Sequence, residues 1–456
     1  MVSRILIMQG YTPLIIFLFA CMLSISYQNA DASNNVLDTG TTDKTDNSLG
    51  NELSEGFDAS LRILSYGIYQ GVAGSSQNPD NDFLRIPRFQ ANLDIRPDLY
   101  LQFRKIELSI KPRTNVLWSA WEDGALKGDR AWEDDWYINE WLFKLGVSDS
   151  LFLSYGRENL QWGPSYLFSP SNPFFEDNGR MNPKLEVPGM DFARLIWVPS
   201  IKWAVSFITN TDEGRQIFEH NKFHRGYAVK IDYTGDEEYI GLILSHKERH
   251  RIGAFCGWTA TDALLLYADI GFSQGNDALY PVYDNLSPFG ASMLAVNEES
   301  SVWNQSVMMG ASYTFLAGPT VSVEYLYNDT GYSDKQSERY YQLRHNARNA
   351  YYEDGPISGL SRMVLGQTVN PGIRFLRKNY LVLQYRQNDI RDVLSLSLNV
   401  IRNIDDKGLR LISNLEYTVG DHVQIFSIGS LNTGESDAEF RSAFDSSFIL
   451  GLEYTF

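Results

Sequence analysis

Apolar and polar residues alternate one for one in short runs along most of this chain. In 393–402, Leu394, Leu396, Leu398 and Val400 share one side, and Ser395, Ser397 and Asn399 share the other. The stretch 320–328 opposes Val321, Val323, Tyr325 and Tyr327 to Ser322, Glu324 and Asn328, and 306–315, 90–96 and 227–233 follow the same rule. A period of two puts successive side chains on opposite faces of an extended strand, so these runs predict strands with one apolar face. About 18 can be placed, within a range of 16 to 18, beginning near residues 61, 83, 101, 137, 151, 192, 201, 226, 237, 250, 263, 304, 320, 375, 393, 409, 422 and 446.

The connectors between runs sort by parity. Counting back from Phe456, the short ones (419–421, 316–319, 260–262, 199–200 and 148–150) fall on one side, while the long ones (117–136, 162–191, 211–225, 274–303, 330–374 and 432–445) fall on the other. A soluble sandwich gives no reason for this, whereas membrane barrels have short periplasmic turns and long outer loops. Beyond the N-terminal region no run of about 18 apolar residues remains for a spanning helix. Lipid offers no partner to a backbone amide, so strands can cross it only as a closed sheet. The expectation is an all-β fold, a closed antiparallel transmembrane β-barrel over 57–456 with apolar residues outward and polar ones inward. That arrangement suits a chain only 43% hydrophobic. Trp197, Trp203, Trp258, Phe315, Tyr385 and Tyr417 lie where runs meet connectors, the height of an interfacial girdle.

The last run alternates to the end, with Phe448, Leu450, Leu452, Tyr454 and Phe456 on one side. This resembles the closing strand of bacterial outer-membrane barrels, in which a terminal Phe marks the chain for the assembly machinery; Tyr454 and Phe456 are the residues implied. At the other end, Arg4, the apolar run 14–25 and Ala30-Asp31-Ala32 fit an export signal over 1–32. A retained membrane anchor and a lipoprotein cut before Cys21 are alternatives. Residues 33–56, rich in Asn, Asp, Thr, Ser and Gly, read as a flexible lead. Cleavage after Ala32 leaves Cys256 as the one cysteine, so no internal disulfide is available.

One stretch fits no strand: WGPSYLFSPSNPFF, 162–175. Pro164, Pro170 and Pro173 each remove an amide donor and restrict the preceding residue, while Trp162, Tyr166, Phe168 and Phe174 need shelter from water. A barrel of this size has room inside. The segment, with Arg180 further along, is expected to fold inward as a constriction. Packing on the outer rim is the alternative. The inner wall is expected to carry Arg88, Asp94, Arg96, Lys105, Glu107, Lys111, Arg113, Glu140, Arg194, Lys230, Asp232, Glu324, Arg386, Arg410 and Glu416, together with Lys144, Lys202, Asp269 and Glu453. Basic groups lead slightly there although the net charge is -17, so the negative excess belongs to the loops and the N-terminal segment. A lumen of mixed sign suits a hydrated passage with a lean toward anions; cross-strand pairing that merely fills the interior is the competing reading.

The stretches GRENLQWGPSYLFSPSNPFF and GMDFARLIWVPSIKW resemble a region of the outer-membrane barrels related to the capsule-assembly protein Wzi and to alginate-export porins. That resemblance implies an 18-stranded barrel and an association with acidic surface or exported polysaccharide. No periplasmic helical bundle of the capsule-assembly kind is evident at the N-terminus.

Catalytic patterns are missing. His246 and His250 are four apart, but Lys247 stands where a zinc-protease helix needs Glu, and a rim hairpin fits better. Trp132-Glu133-Asp134-Asp135-Trp136 reads as a solvated acidic loop. No enzyme, cofactor or metal is expected, and net acidity argues against nucleic acid. The function expected is a bacterial outer-membrane channel for small polar or anionic solutes, partnered by outer-membrane lipid, lipopolysaccharide and the assembly machinery. A polysaccharide assembly or export barrel, binding glycan through Tyr340, Tyr341, Tyr351 and Tyr352, is the alternative.

Overall fold

Residues 52–175, 178–216, 223–296, 302–435 and 438–456 are described by a computed structural model. The export signal, its two alternatives and most of the lead segment lie outside the described residues. Within the unit Glu55–Phe456, 18 strands form one antiparallel sheet closed on itself. The first half comprises β1 (Phe57–Val72), β2 (Phe89–Phe103), β3 (Ile106–Ala120), β4 (Arg130–Gly146), β5 (Leu151–Glu158), β6 (Met190–Ser200), β7 (Trp203–Asp212), β8 (Gly226–Thr234) and β9 (Glu238–His246). Then come β10 (His250–Thr261) and β11 (Leu264–Gln274), and a separate hairpin of β12 (Leu279–Tyr283) and β13 (Ala291–Ala295). The wall resumes with β14 (Trp303–Thr314), β15 (Thr320–Asn328), β16 (Asn379–Ile390), β17 (Leu394–Asn403), β18 (Leu409–Val419), β19 (Val423–Thr433) and β20 (Phe444–Thr455). β1 pairs with β20, Ile63 facing Tyr454 and Ser65 facing Leu452, and this seam closes the ring.

The alternation expected from the sequence sets the two faces. Leu381, Leu383, Leu398, Leu411, Leu415, Ile425, Leu450 and Leu452 stand exposed on the outside. In water such a band would be unstable; against hydrocarbon it is the favourable face. Trp197, Trp203, Trp258, Phe315 and Tyr417 are exposed at strand ends, with Trp203 against Tyr233 at 4.9 Å. Every turn on the Phe456 side is short, the longest being 315–319, and the opposite end carries the extended connections 73–88, 159–189, 213–225, 275–302 and 329–378.

Three features differ from the sequence reading. The inner face is not uniformly polar: Met308, Leu326, Val382, Ile401, Ile412, Phe426 and Ile428 point inward and are buried. They are covered by loop side chains, so part of the interior is packed like a soluble core. Strands β3 and β4 run well past the expected limits of the 117–136 connector, because the paired residues Trp118 and Trp132 prolong the ladder above the girdle. Trp132 to Trp136 therefore belong to β4 and not to a loop. Residues near 83 lie in the 73–88 connection, and those near 101 end β2.

The 329–378 connection holds two helices, α1 (Asp334–Asn349) and α2 (Pro356–Val369). A capping box of Ser333 and Gln336 starts α1, and Pro356, tolerated in a first turn, starts α2. Tyr280, Tyr332, Tyr340, Leu343, Ala347, Tyr351 and Leu365 close a core of their own, which also takes in Phe83. Tyr352 donates its hydroxyl hydrogen to Asp82 at 2.8 Å, and Gln77 Nε2 donates to Thr368 O at 3.1 Å. This cap is thus rooted between β15 and β16 and latched to the loop between β1 and β2.

Beside the cap, Glu439 accepts hydrogen bonds from Tyr380 Oη at 2.5 Å, Asn403 Nδ2 at 2.8 Å and Leu376 N at 2.9 Å. Burial outweighs these donors and pushes the carboxyl up to about 7.

Two outcomes are expected. Leu383→Arg, on the outer face at mid-strand, should destabilise the barrel in bilayers by about 2–4 kcal/mol in denaturant titrations, while inward-facing Gln384→Arg should cost far less. For Glu439, the folded carboxyl holds its proton above the ordinary 4.5, so its contribution is full below that value and is lost as pH rises through about 7. Melting temperature should fall across that window, and Glu439→Gln should flatten this part of the profile.

Candidate functional site

The 159–189 connection does not stay at the rim. Its proline-rich half crosses the barrel and docks on the far wall through two carboxylates. Glu324 on β15 accepts hydrogen bonds from Tyr166 N at 2.8 Å and Tyr267 Oη at 2.9 Å. Asp269 on β11 accepts from Ser169 Oγ at 2.6 Å and Ser171 N at 2.8 Å. Both are essentially buried, at 3% and 0% exposure, and such groups are tolerable only with partners of this kind. Contact is close enough to need glycine. A Cβ on Gly271 would collide with Pro170 O, and Gly163, at φ +86°, would bring one against the Asp269 carboxylate.

The aromatic residues find shelter on the wall. Tyr166 and Leu167 join Met308, Leu326, Tyr380 and Phe426, with Phe168 edge-to-face on Phe375 at 5.7 Å. Phe175, Trp162 and Phe174 pack on Phe192, Ile208, Ile243 and Phe255. Lys230 lies 5.5 Å from the Trp162 ring centre. Missing amide donors at the prolines cost little here, because side-chain carboxylates and aromatic packing replace a hydrogen-bond ladder.

The second half of the connection turns back across the opening. Arg180 donates to Pro164 O at 3.0 Å and Ser165 O at 2.7 Å, joining the two halves. Lys184 pairs with Glu453 at 2.8 Å and Glu416 at 3.1 Å, and Arg96 donates to Lys184 O at 2.9 Å. Glu186 meets Arg113 at 2.6 Å and Arg62 at 3.6 Å. Burial works against the Glu186 charge, yet the hydrogen bonds and charge of Arg113 hold its carboxyl below the usual range. One connection therefore touches β11 and β15 on one arc and β18, β20, β1, β2 and β3 on the other.

The charged residues singled out in the sequence occur mostly as pairs. Arg96 binds Asp94 at 2.7 Å, Lys111 binds Glu140 at 2.7 Å, Lys144 binds Glu107 at 2.9 Å, and Lys230 contacts Asp232. Arg194 pairs with Glu158 at 2.6 Å. Arg410 donates to Asn432 Oδ1 at 2.8 Å and Arg386 to Asn388 Oδ1 at 3.1 Å. Lys105 and Lys202 sit instead in the turns after β2 and β6, because β2 runs on to Phe103 and β6 to Ser200; Lys202 faces Asp236. Arg88 precedes β2 and meets Asp123 of the next outer loop. The sequence reading missed Asp98, Glu158, Lys184 and Glu186 as partners. Asp98 follows Pro97, which masked the run, and the last two lie in a connector where no periodicity signals direction.

No protein-family model matches the chain, and no curated protein matches it. Solved structures do. OccK11 (OpdR) of Pseudomonas aeruginosa is similar at a TM-score of 0.51 and 12% identity over 88% of this chain and 96% of that one. OccAB1 of Acinetobacter baumannii gives 0.51 and 10% over 88% and 96%. OccK3 (OpdO) of Pseudomonas aeruginosa gives 0.50 and 12% over 90% and 99%. At such identities the likeness is one of fold, and it is to these barrels, none of them from the capsule-assembly or alginate-export group, that the 18-stranded architecture corresponds.

Proposed function

We propose that the chain is a bacterial outer-membrane channel that passes small polar or anionic solutes passively, with the 159–189 connection as its constriction. The observation that carries this reading is the connection's double anchorage, by Glu324 and Asp269 on one arc and by Lys184 and Glu186 on the other. A segment so held narrows the lumen. The paired charges along the inner wall support a hydrated path, since ion pairs at a water-lined surface remain available to passing solutes. Arg386 and Arg410 give it a basic lean.

The polysaccharide alternative draws its support from the 156–203 resemblance and from the tyrosine-rich outer loop. Tyr340 and Tyr351 are buried in the cap core at 3% and 6% exposure, so they stabilise the cap and do not present rings to a glycan; Tyr352 alone of the four is well exposed.

The test is single-channel conductance of refolded protein in planar bilayers. Deleting 164–188 should raise conductance severalfold, and an unchanged value with an intact barrel would reject the constriction. Replacing both anchors, Asp269→Asn with Glu324→Gln, removes charge from hydrogen bonds worth roughly 1.5–3 kcal/mol each. Open-state noise should increase as the loop detaches, with the barrel still assembled.

A further inference from the structure

On the outer side of the crossing loop, between residues 168–173 and the upper ends of β10, β11, β14 and β15, lies a cavity of about 180 Å³. Its wall holds a cluster of carboxamides. Asn304 on β14 is only 7% exposed, and its Nδ2 has no acceptor among the described residues. Its Oδ1 is taken by Asn276 Nδ2 at 3.3 Å. Asn328, by contrast, is satisfied: it accepts from Thr330 Oγ1 at 2.8 Å and donates to Phe375 O at 3.3 Å. Asp277 lines the same space, its charge met by Arg249 at 2.7 Å while its side chain stays 44% exposed. Phe168 and Phe375 supply an apolar floor.

A buried amide hydrogen without an acceptor is unfavourable, so the Asn304 position is set for an oxygen brought from outside. Carboxamides both donate and accept, as hydroxyls do, and a carboxylate already neutralised by arginine can still accept from a hydroxyl. The aromatic rings beside them suit the C–H face of a saturated ring. The volume is below the roughly 300 Å³ at which drug-sized sites begin, which limits the occupant to one small ring. We propose that this cavity is the channel's outer binding site for a polyhydroxylated ring of monosaccharide size. The assignment rests on the channel reading above and names its solute class.

The experiment uses the refolded full chain in planar bilayers, with glucose or cyclohexanecarboxylate added on the outer-loop side. Glucose should lower the conductance saturably and cyclohexanecarboxylate, which lacks ring hydroxyls, should not. Asn304→Ala should raise the half-saturating glucose concentration about tenfold, and Asn276→Ala, a second variant in case the first assembles poorly, should raise it too. A protein that conducts salt but shows no saturation by glucose, saturates equally with the carboxylate, or keeps its half-saturating glucose concentration unchanged in both variants overturns the site. Absence of any salt conductance overturns the channel reading instead.

Discussion

The constraint on which the whole structure depends is the backbone hydrogen bond. Every amide in a strand that meets lipid must find its carbonyl in a neighbouring strand, and a flat sheet always leaves two edges unpaired. The seam between β1 and β20 removes both edges, from Arg62 opposite Thr455 to Val72 opposite Phe444. Once that ring exists, side-chain chemistry is divided by it. Leucines and aromatic residues on the outside need no partners but hydrocarbon, and charged residues inside must be hydrated or paired.

A ring of 18 strands is wide, and the chain fills it from the outer end. The crossing loop and the cap bring apolar surface to one arc of the inner wall, so Val382, Ile401 and Phe426 are buried against protein while neighbours nearer the Phe456 end remain polar. The interior therefore contains two environments. One is a packed core beneath the loops, where Glu324 and Asp269 are tolerated because every hydrogen bond is made. The other is a water-accessible wall, where Lys111–Glu140 and Lys144–Glu107 lie partly exposed and contribute little to stability.

Strand number, parity of the connections and the outward face could be read from the sequence because each depends on a local period of two. The inward course of 162–175 was legible for a different reason: three prolines excluded strand and helix, and four aromatic rings excluded open water. What stayed hidden depends on distant partners. Nothing near Met308 or Ile412 signals that an inward apolar residue will be covered by a loop, and nothing near Lys184 points to Glu453. The cap helices left a trace in the spacing of Tyr340, Leu343 and Ala347, but a 3.6-residue period was easily passed over in a connector surrounded by strands. Of the tyrosines that suggested glycan contact, Tyr340 and Tyr351 are instead core residues of that cap.

The anchorage of the crossing loop also bears on how the chain is built. Tyr166 is held by a residue 158 positions later, and Lys184 by one 269 positions later. The loop cannot reach the second clasp until the C-terminal strand β20 is in place, and contacts so remote in sequence form late. Until β14 to β19 are in place, Tyr166, Leu167 and Phe168 lack the wall they rest on. The crossing loop is accordingly the last part of the barrel to mature, and the interval before it docks is when the chain is most exposed to aggregation and to proteolysis.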